Sequence, residues 1–335
     1  MLRTTFEIST AGAVARPFRP RIVLYTLHSR GRLCYIQHGQ SRQTGVASDN
    51  GTQQSMVTVE IEACEKPMID NIENSDDISK AIPHVLACDV GNSAIHFVHV
   101  HGDEVGEVRV LRHGDLGSLP QALVELWDQI PKPKKLVAAS VNPTGLKALE
   151  AAAGEAIRQP VLVVGRDLPL PIDTDLPSPQ TVGVDRLCAA AAAFDRLGVA
   201  CVVVDLGTAI TIDCVNEQGV FLGGAILAGV AMQANALHTG TAQLPLVEPT
   251  KPDWVFGKDT RQAIVGGLVF GIRGALREFV EAYATELGHW PLVILTGGDA
   301  ELIGGEPSES ELVQAIVPDL TLRGVSMAYY RSLLK

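Results

Sequence analysis

The chain has 335 residues, 46% hydrophobic and 19% charged, which suits a compact soluble protein of one or two domains. A net charge of −11 argues against a nucleic-acid partner, and no uninterrupted apolar run approaches the roughly 20 residues of a membrane span. The six cysteines (34, 64, 88, 188, 201, 214) have no metal-ligand spacing; Cys88, Cys201 and Cys214 fall in apolar runs and read as buried thiols of a reduced, cytoplasmic protein.

Residues 1–55 carry seven Arg, no Lys and only Glu7 and Asp49, a net of +5 that leaves −16 for the rest. Through residue 82 only short apolar pieces interrupt polar sequence, so 1–82 reads as a poorly structured extension, with an Arg-rich transit peptide as the alternative. An upstream start codon ahead of Met56 or Met68 is a variant of the first reading. From Pro83 the pattern becomes regular. Strands are predicted at 84–90, 94–101 and 106–112, and a helix at 116–130 from the spacing of Leu116, Leu119, Leu123, Leu126 and Ile130. Strand 136–141, helix 144–157, strand 160–164 and a proline-rich connector at 168–179 follow. A second series repeats the order: helix 184–197, strands 200–206, 209–215 and 219–227, helices near 229–238 and 257–286, strand 291–295 and a closing helix at 322–334.

Two strand–turn–strand units stand out. Asp89, Val90, Gly91, Asn92 and Ser93 link the first strand pair; Asp205, Leu206, Gly207 and Thr208 link the corresponding pair 116 residues later. Glycine lets the backbone turn sharply and expose N–H donors to a phosphate. A carboxylate at the strand end can hold a cation that neutralises transferring charge. One such turn is an ordinary hairpin, whereas a matched pair points to a duplicated phosphotransferase fold.

Six motifs then occur in one order: Asp89–Ser93; Ala139–Pro143; Gly183, Val184, Asp185 and Arg186; Asp205–Asp213; Gly223–Gly229; and Thr241–Pro245. Together they resemble type III pantothenate kinase over about residues 84–335. The resemblance implies an α/β fold of duplicated ribonuclease-H-like (actin-like ATPase) lobes around an ATP cleft, 83–180 and 181–335. It implies phosphorylation of pantothenate by ATP, the first step of coenzyme A synthesis, in a homodimer using Mg²⁺ and K⁺ (or NH₄⁺). ATP would contact Asp89, Val90, Gly91, Asn92, Ser93, Ala94, Ile95, His96 and Thr208. Asp185 would be the general base, Gly183, Val184 and Arg186 would bind substrate with Arg186 on its carboxylate, and Thr260 would reach in from the partner subunit. Asp89 would hold Mg²⁺ and Asp205 K⁺. Asp213 reads equally as structural or catalytic, and Gly297, Gly298 and Asp299 fit an adenosine-side loop.

Two departures from the family are visible: Ser93 stands where Thr is usual, and Leu176 where a substrate-contacting Tyr is frequent. For Asp185 and Arg186, a helix cap and a surface ion pair are the ordinary alternative. Of His96, His99 and His101, only the last two share a strand face, without an evident third metal ligand. Two other functions remain open at this level: a non-catalytic regulator of the same family, and another small-molecule kinase of the same superfold.

Overall fold

The computed structural model describes residues 82–305 and 312–334, with four two-residue strands before them. Those strands make two antiparallel ribbons, Thr26–Leu27 with Leu33–Cys34 and Thr44–Gly45 with Ser55–Met56, within a unit spanning Met1–Ser75. The remainder of the predicted extension lies outside the described residues. A second compact unit, Asp76–Lys335, carries every motif of interest.

That unit holds two six-stranded sheets of matching order. In the first, β1 (His84–Val90) and β2 (Ala94–His101) form a hairpin that places Asp89 opposite His96. The short strands β3 (Glu104–Val105) and β4 (Arg109–Arg112) both pair with β2. On the other side β5 (Lys134–Ser140) runs parallel to β1, and β6 (Val161–Val163) parallel to β5. In the second sheet β8 (Cys201–Leu206) and β9 (Ala209–Val215) make the hairpin, β10 (Val220–Ala228) continues the meander, and β7 (Asp173–Thr174) adds an outer strand. Parallel strands β11 (Leu292–Thr296) and β12 (Ala315–Ile316) follow on the β8 side. Two meander-plus-parallel sheets are the duplicated ribonuclease-H-like arrangement.

The central strands are buried on both faces, which explains their near-continuous apolar sequence. Leu86, Cys88 and Val90 pack under α1 (Leu119–Gln129) and α2 (Pro143–Ala152), joined by Leu123, Trp127 and Leu149. Asn142 caps α2, its side-chain oxygen accepting from the N–H groups of Thr144 (3.1 Å) and Gly145 (3.0 Å), with Pro143 at the first helical position. Val202, Val204, Leu206, Ile210 and Ile212 pack under α5 (Thr260–Leu287), with α4 (Val230–Thr239) alongside. The inner face of the first sheet, Val85, Ala87 and Val137, meets Cys188 of α3 (Val184–Leu197) and Leu322, Val325 and Ala328 of α7 (Leu320–Ser332). The alanine run of α3 lets α7 approach closely: a Cβ on Gly324 would fall on the backbone of Cys188.

Several predicted bounds move. The third strand begins at Arg109 rather than 106, because Gly106 is held by its N–H on the His99 carbonyl at 2.9 Å. Leu116 lies in a 3₁₀ segment, His113–Ser118, and the α-helix starts only at Leu119. The 144–157 helix ends as regular α-helix at Ala152 and widens into a π turn, Ala153–Ile157. The strands β7 and β12 and the five-residue helix α6 (Ala300–Gly304) lack a periodic signal in so few residues.

Candidate active site

The two turns meet. Ser93 Oγ of the β1–β2 turn lies 2.9 Å from Thr208 Oγ1 of the β8–β9 turn, although 115 residues separate them. Each turn is closed by its glycine N–H: Gly91 to the Ala94 carbonyl at 3.1 Å and Gly207 to the Ala209 carbonyl at 3.2 Å. His113 Nε2 steadies the first turn by donating to the Gly91 carbonyl at 2.8 Å. Asn92 and Ser93 are exposed at the tip. The second turn accepts no side chain nearby: a Cβ at Gly229 would strike the Gly207 and Thr208 carbonyls.

Behind the turns sits a group of carboxylates. Asp89 Oδ1 is buried without a hydrogen-bond partner, and its other oxygen lies 3.9 Å from His96 Nδ1. Burial, with the charges of Asp185 and Asp205, pushes Asp89 up to about 8. Burial and the charges of Asp185 and Asp213 likewise take Asp205 up to about 6. Asp185, at the second position of α3, is raised by burial against the opposing hydrogen bond from the Arg186 N–H, which its Oδ1 accepts at 2.8 Å. Carboxylates that hold protons for want of compensation suit a site built to receive cations. Among the described residues no three His, Cys, Asp or Glu side chains are arranged to hold a metal ion unaided. The unpartnered Asp89 Oδ1 is the atom among these carboxylates that fits a cation.

Arg186 is already engaged. Its Nε lies 3.1 Å from both oxygens of Asp213 and its Nη2 2.5 Å from Oδ1. Asp213 is 2% exposed, and the guanidinium rests 5.7 Å from the centre of the Phe221 ring. Sequence reading left Asp213 undecided. Its signal was faint: an even offset of eight residues from Asp205 on a neighbouring strand. His113 carries no signal at all in the sequence.

The remaining expected residues sort by distance from this group. Gly297 has φ +91°, and an added Cβ would meet Asp205 and the Leu206 carbonyl; the Asp299 N–H donates to that carbonyl at 3.0 Å. The Gly297–Asp299 loop thus abuts the second turn. Leu176 packs beside Gly223, its Cδ2 3.5 Å from where a Cβ would stand, next to the Gly224 that faces Asp213. Val184 is half-buried at the start of α3. Thr260 is exposed at the first residue of α5, where Asp259 caps by accepting from the Gln262 N–H at 2.9 Å; no contact ties it to the carboxylates. His96 belongs to the Asp89 corner. His99 and His101 lie apart with a third ring, His84, whose Nδ1 is 2.9 Å from His99 Nε2 and which stacks on His101.

Comparison with known proteins decides the family. Residues 85–282 match the family described as type III pantothenate kinase. A type III pantothenate kinase of Dehalococcoides mccartyi strain 195 is 31% identical over 257 residues, 73% of this chain and 96% of that protein. The chain belongs to the type III pantothenate kinases. A family member from Akkermansia muciniphila is 38% identical over 51% of this chain and 70% of its own length, and one from Bacillus cytotoxicus 35% identical over 59% and 75%. The family match covers both turns, Asp185, Arg186 and Asp213, and stops short of the Gly297–Asp299 loop. The arrangement brings together two glycine turns, a group of buried carboxylates and one arginine.

Proposed function

We propose that the chain transfers the γ-phosphoryl group of ATP to the primary hydroxyl of pantothenate, forming 4′-phosphopantothenate at the entry to coenzyme A synthesis. The observation that carries this reading is the 2.9 Å approach of Ser93 and Thr208 in front of Asp89, Asp185 and Asp205 in a chain of this family. The N–H groups and hydroxyls of the turns 90–96 and 207–208 bind phosphate oxygens. Asp185 accepts the hydroxyl proton as that oxygen attacks. Its burial raises its basicity toward the operating pH, which improves a general base. Arg186 takes the pantothenate carboxylate, with Gly183 and Val184 lining its approach. Mg²⁺ at Asp89 and K⁺ or NH₄⁺ at Asp205 neutralise phosphate charge when bound.

The working form is a homodimer. Ile226, Met232, Leu237, Leu246, Val255 and Phe256 are large apolar side chains exposed along one segment, which a partner subunit would cover. Thr260, just beyond them, would serve the partner's site. Four buried free thiols, Cys88, Cys188, Cys201 and Cys214, suit a cytoplasmic setting, and among the described residues no helix is long and apolar enough to cross a membrane.

The test is to incubate purified protein with ATP, Mg²⁺, K⁺ and a panel of hydroxylated acids and sugars, and to identify phosphorylated products by mass. Phosphopantothenate is the expected product. Its absence, with or without turnover of another panel member, overturns the reading.

A further inference from the structure

A guanidinium has two edges that match a planar anion, one formed by Nε and Nη2 and the other by Nη1 and Nη2. In this molecule the first edge is committed to Asp213, through contacts of 3.1, 3.1 and 2.5 Å. The Arg186 side chain is 14% exposed and that of Asp213 2%. Asp213 is itself locked. Gly224 lies opposite it across the β9–β10 ladder, and a Cβ there would collide with its carboxylate and with the Ile212 carbonyl. Tyr283 of α5 donates to that same Ile212 carbonyl at 3.2 Å, and Phe221 supports the guanidinium. Three elements, β9, β10 and α5, thus fix the orientation of one arginine.

We infer that Asp213 is the positioning residue for substrate recognition: it holds Arg186 by the Nε–Nη2 edge so that the opposite edge is preset for the carboxylate of the acid substrate. The inference rests on the assignment of pantothenate as substrate and adds the residue that orients its anchor. Asp213 acts through Arg186, whose guanidinium it holds. The pair also explains how an arginine survives beside Asp185 without quenching it. Its side-chain hydrogen bonds go to Asp213, while Asp185, raised overall by burial, feels Arg186 through a backbone N–H hydrogen bond and through its charge.

The experiment compares pantothenate with its neutral carboxamide in wild type, Asp213→Asn, Arg186→Ala and the double variant, with thermal melting of each. Asp213→Asn is expected to raise KM for pantothenate roughly 10–100-fold, the range of one charge-assisted contact, with kcat within about threefold of wild type. KM for ATP and the kinetics on the carboxamide should stay near wild type. The double variant should be no worse on pantothenate than Arg186→Ala alone, because the two residues act as a unit. An unchanged KM for pantothenate in Asp213→Asn overturns the inference, as does equal damage to acid and carboxamide accompanied by a lower melting temperature. Should Asp213→Asn not fold, Asp213→Glu keeps the ion pair while displacing it by one methylene. It should raise KM for the acid alone, and equal effects on acid and carboxamide refute the inference. If wild type fails to phosphorylate pantothenate, or Arg186→Ala leaves KM for the acid unchanged, the substrate assignment itself falls and the role of Asp213 with it.

Discussion

Asp89 makes the pH dependence of stability testable. Its folded-state value of about 8 lies well above its ordinary 3.8, so below pH 4 the group is protonated in folded and unfolded chains alike. Between pH 4 and 8 the unfolded chain releases the proton while the folded chain keeps it, and stability falls as pH rises. At 1.36 kcal/mol per pH unit, the loss between pH 5 and 7 is at most about 3 kcal/mol. The side chain is 20% exposed while Oδ1 is fully covered, so solvent screening places the true figure below that ceiling. For a unit of this size, about 3 kcal/mol corresponds to roughly 5–10 °C in Tm. Asp89→Asn removes the titration, so its Tm should change less steeply over the same window, whatever its absolute stability. The assay is thermal melting of both proteins at half-unit steps from pH 5 to 8 without nucleotide or divalent cation, repeated with Mg²⁺ and ATP. Added Mg²⁺ and ATP should flatten the wild-type curve by favouring the ionised carboxylate. Parallel wild-type and Asp89→Asn curves would refute the account of Asp89 as a buried, uncompensated acid.

Further outcomes follow from the same geometry. Asp185→Asn should lower kcat on the order of 10²–10⁴-fold with ATP binding nearly intact, as loss of a general base does; wild-type turnover in the folded variant would remove Asp185 from that role. Activity should rise with K⁺ over Na⁺ at fixed Mg²⁺, and Asp205→Ala should flatten that response, whereas indifference of the wild type to the two ions would leave Asp205 as a second divalent-shell carboxylate. Removing residues 1–82 should preserve fold and activity, since Asp76–Lys335 is compact by itself and carries every motif; a soluble, folded but inactive truncation would show that the extension acts in the reaction.

The strand-end carboxylates and their glycine turns were legible in the sequence because a sharp turn at the end of an apolar run leaves few residue choices. Their facing one another across a cleft followed from the duplication, but the contact between them did not. The Ser93–Thr208 contact depends on how two sheets face one another, which no local pattern encodes. The Arg186–Asp213 pair spans 27 residues and needs the β8–β9 register, where Val203 faces Asp213, to bring it under α3. His84 was one residue out of reach: predicted strands 84–90 and 94–101 joined by a three-residue turn set it opposite Val100, whereas the observed register, Val90 opposite Ile95, brings it to His101. Thr260 shows the reverse case, a position transferred by resemblance that a single chain leaves exposed.

The crossing of α3 and α7 has a mechanical consequence. With the Gly324 backbone against that of Cys188, the two helices touch more closely here than side chains would allow, and both pack on the first sheet. Such a contact behaves as a pivot, and displacement grows with distance from it. Asp185 lies one helical turn from Cys188, on a short lever arm, whereas the turns at Ser93 and Thr208 stand at the far tips of the two sheets. The turns already touch at 2.9 Å, so rotation about the crossing would part them to admit nucleotide while the base stays nearly still. Gly324→Ala puts a methyl group in the pivot. It should slow turnover and lower Tm together, and wild-type kinetics in that variant would show that the crossing is not where the molecule bends.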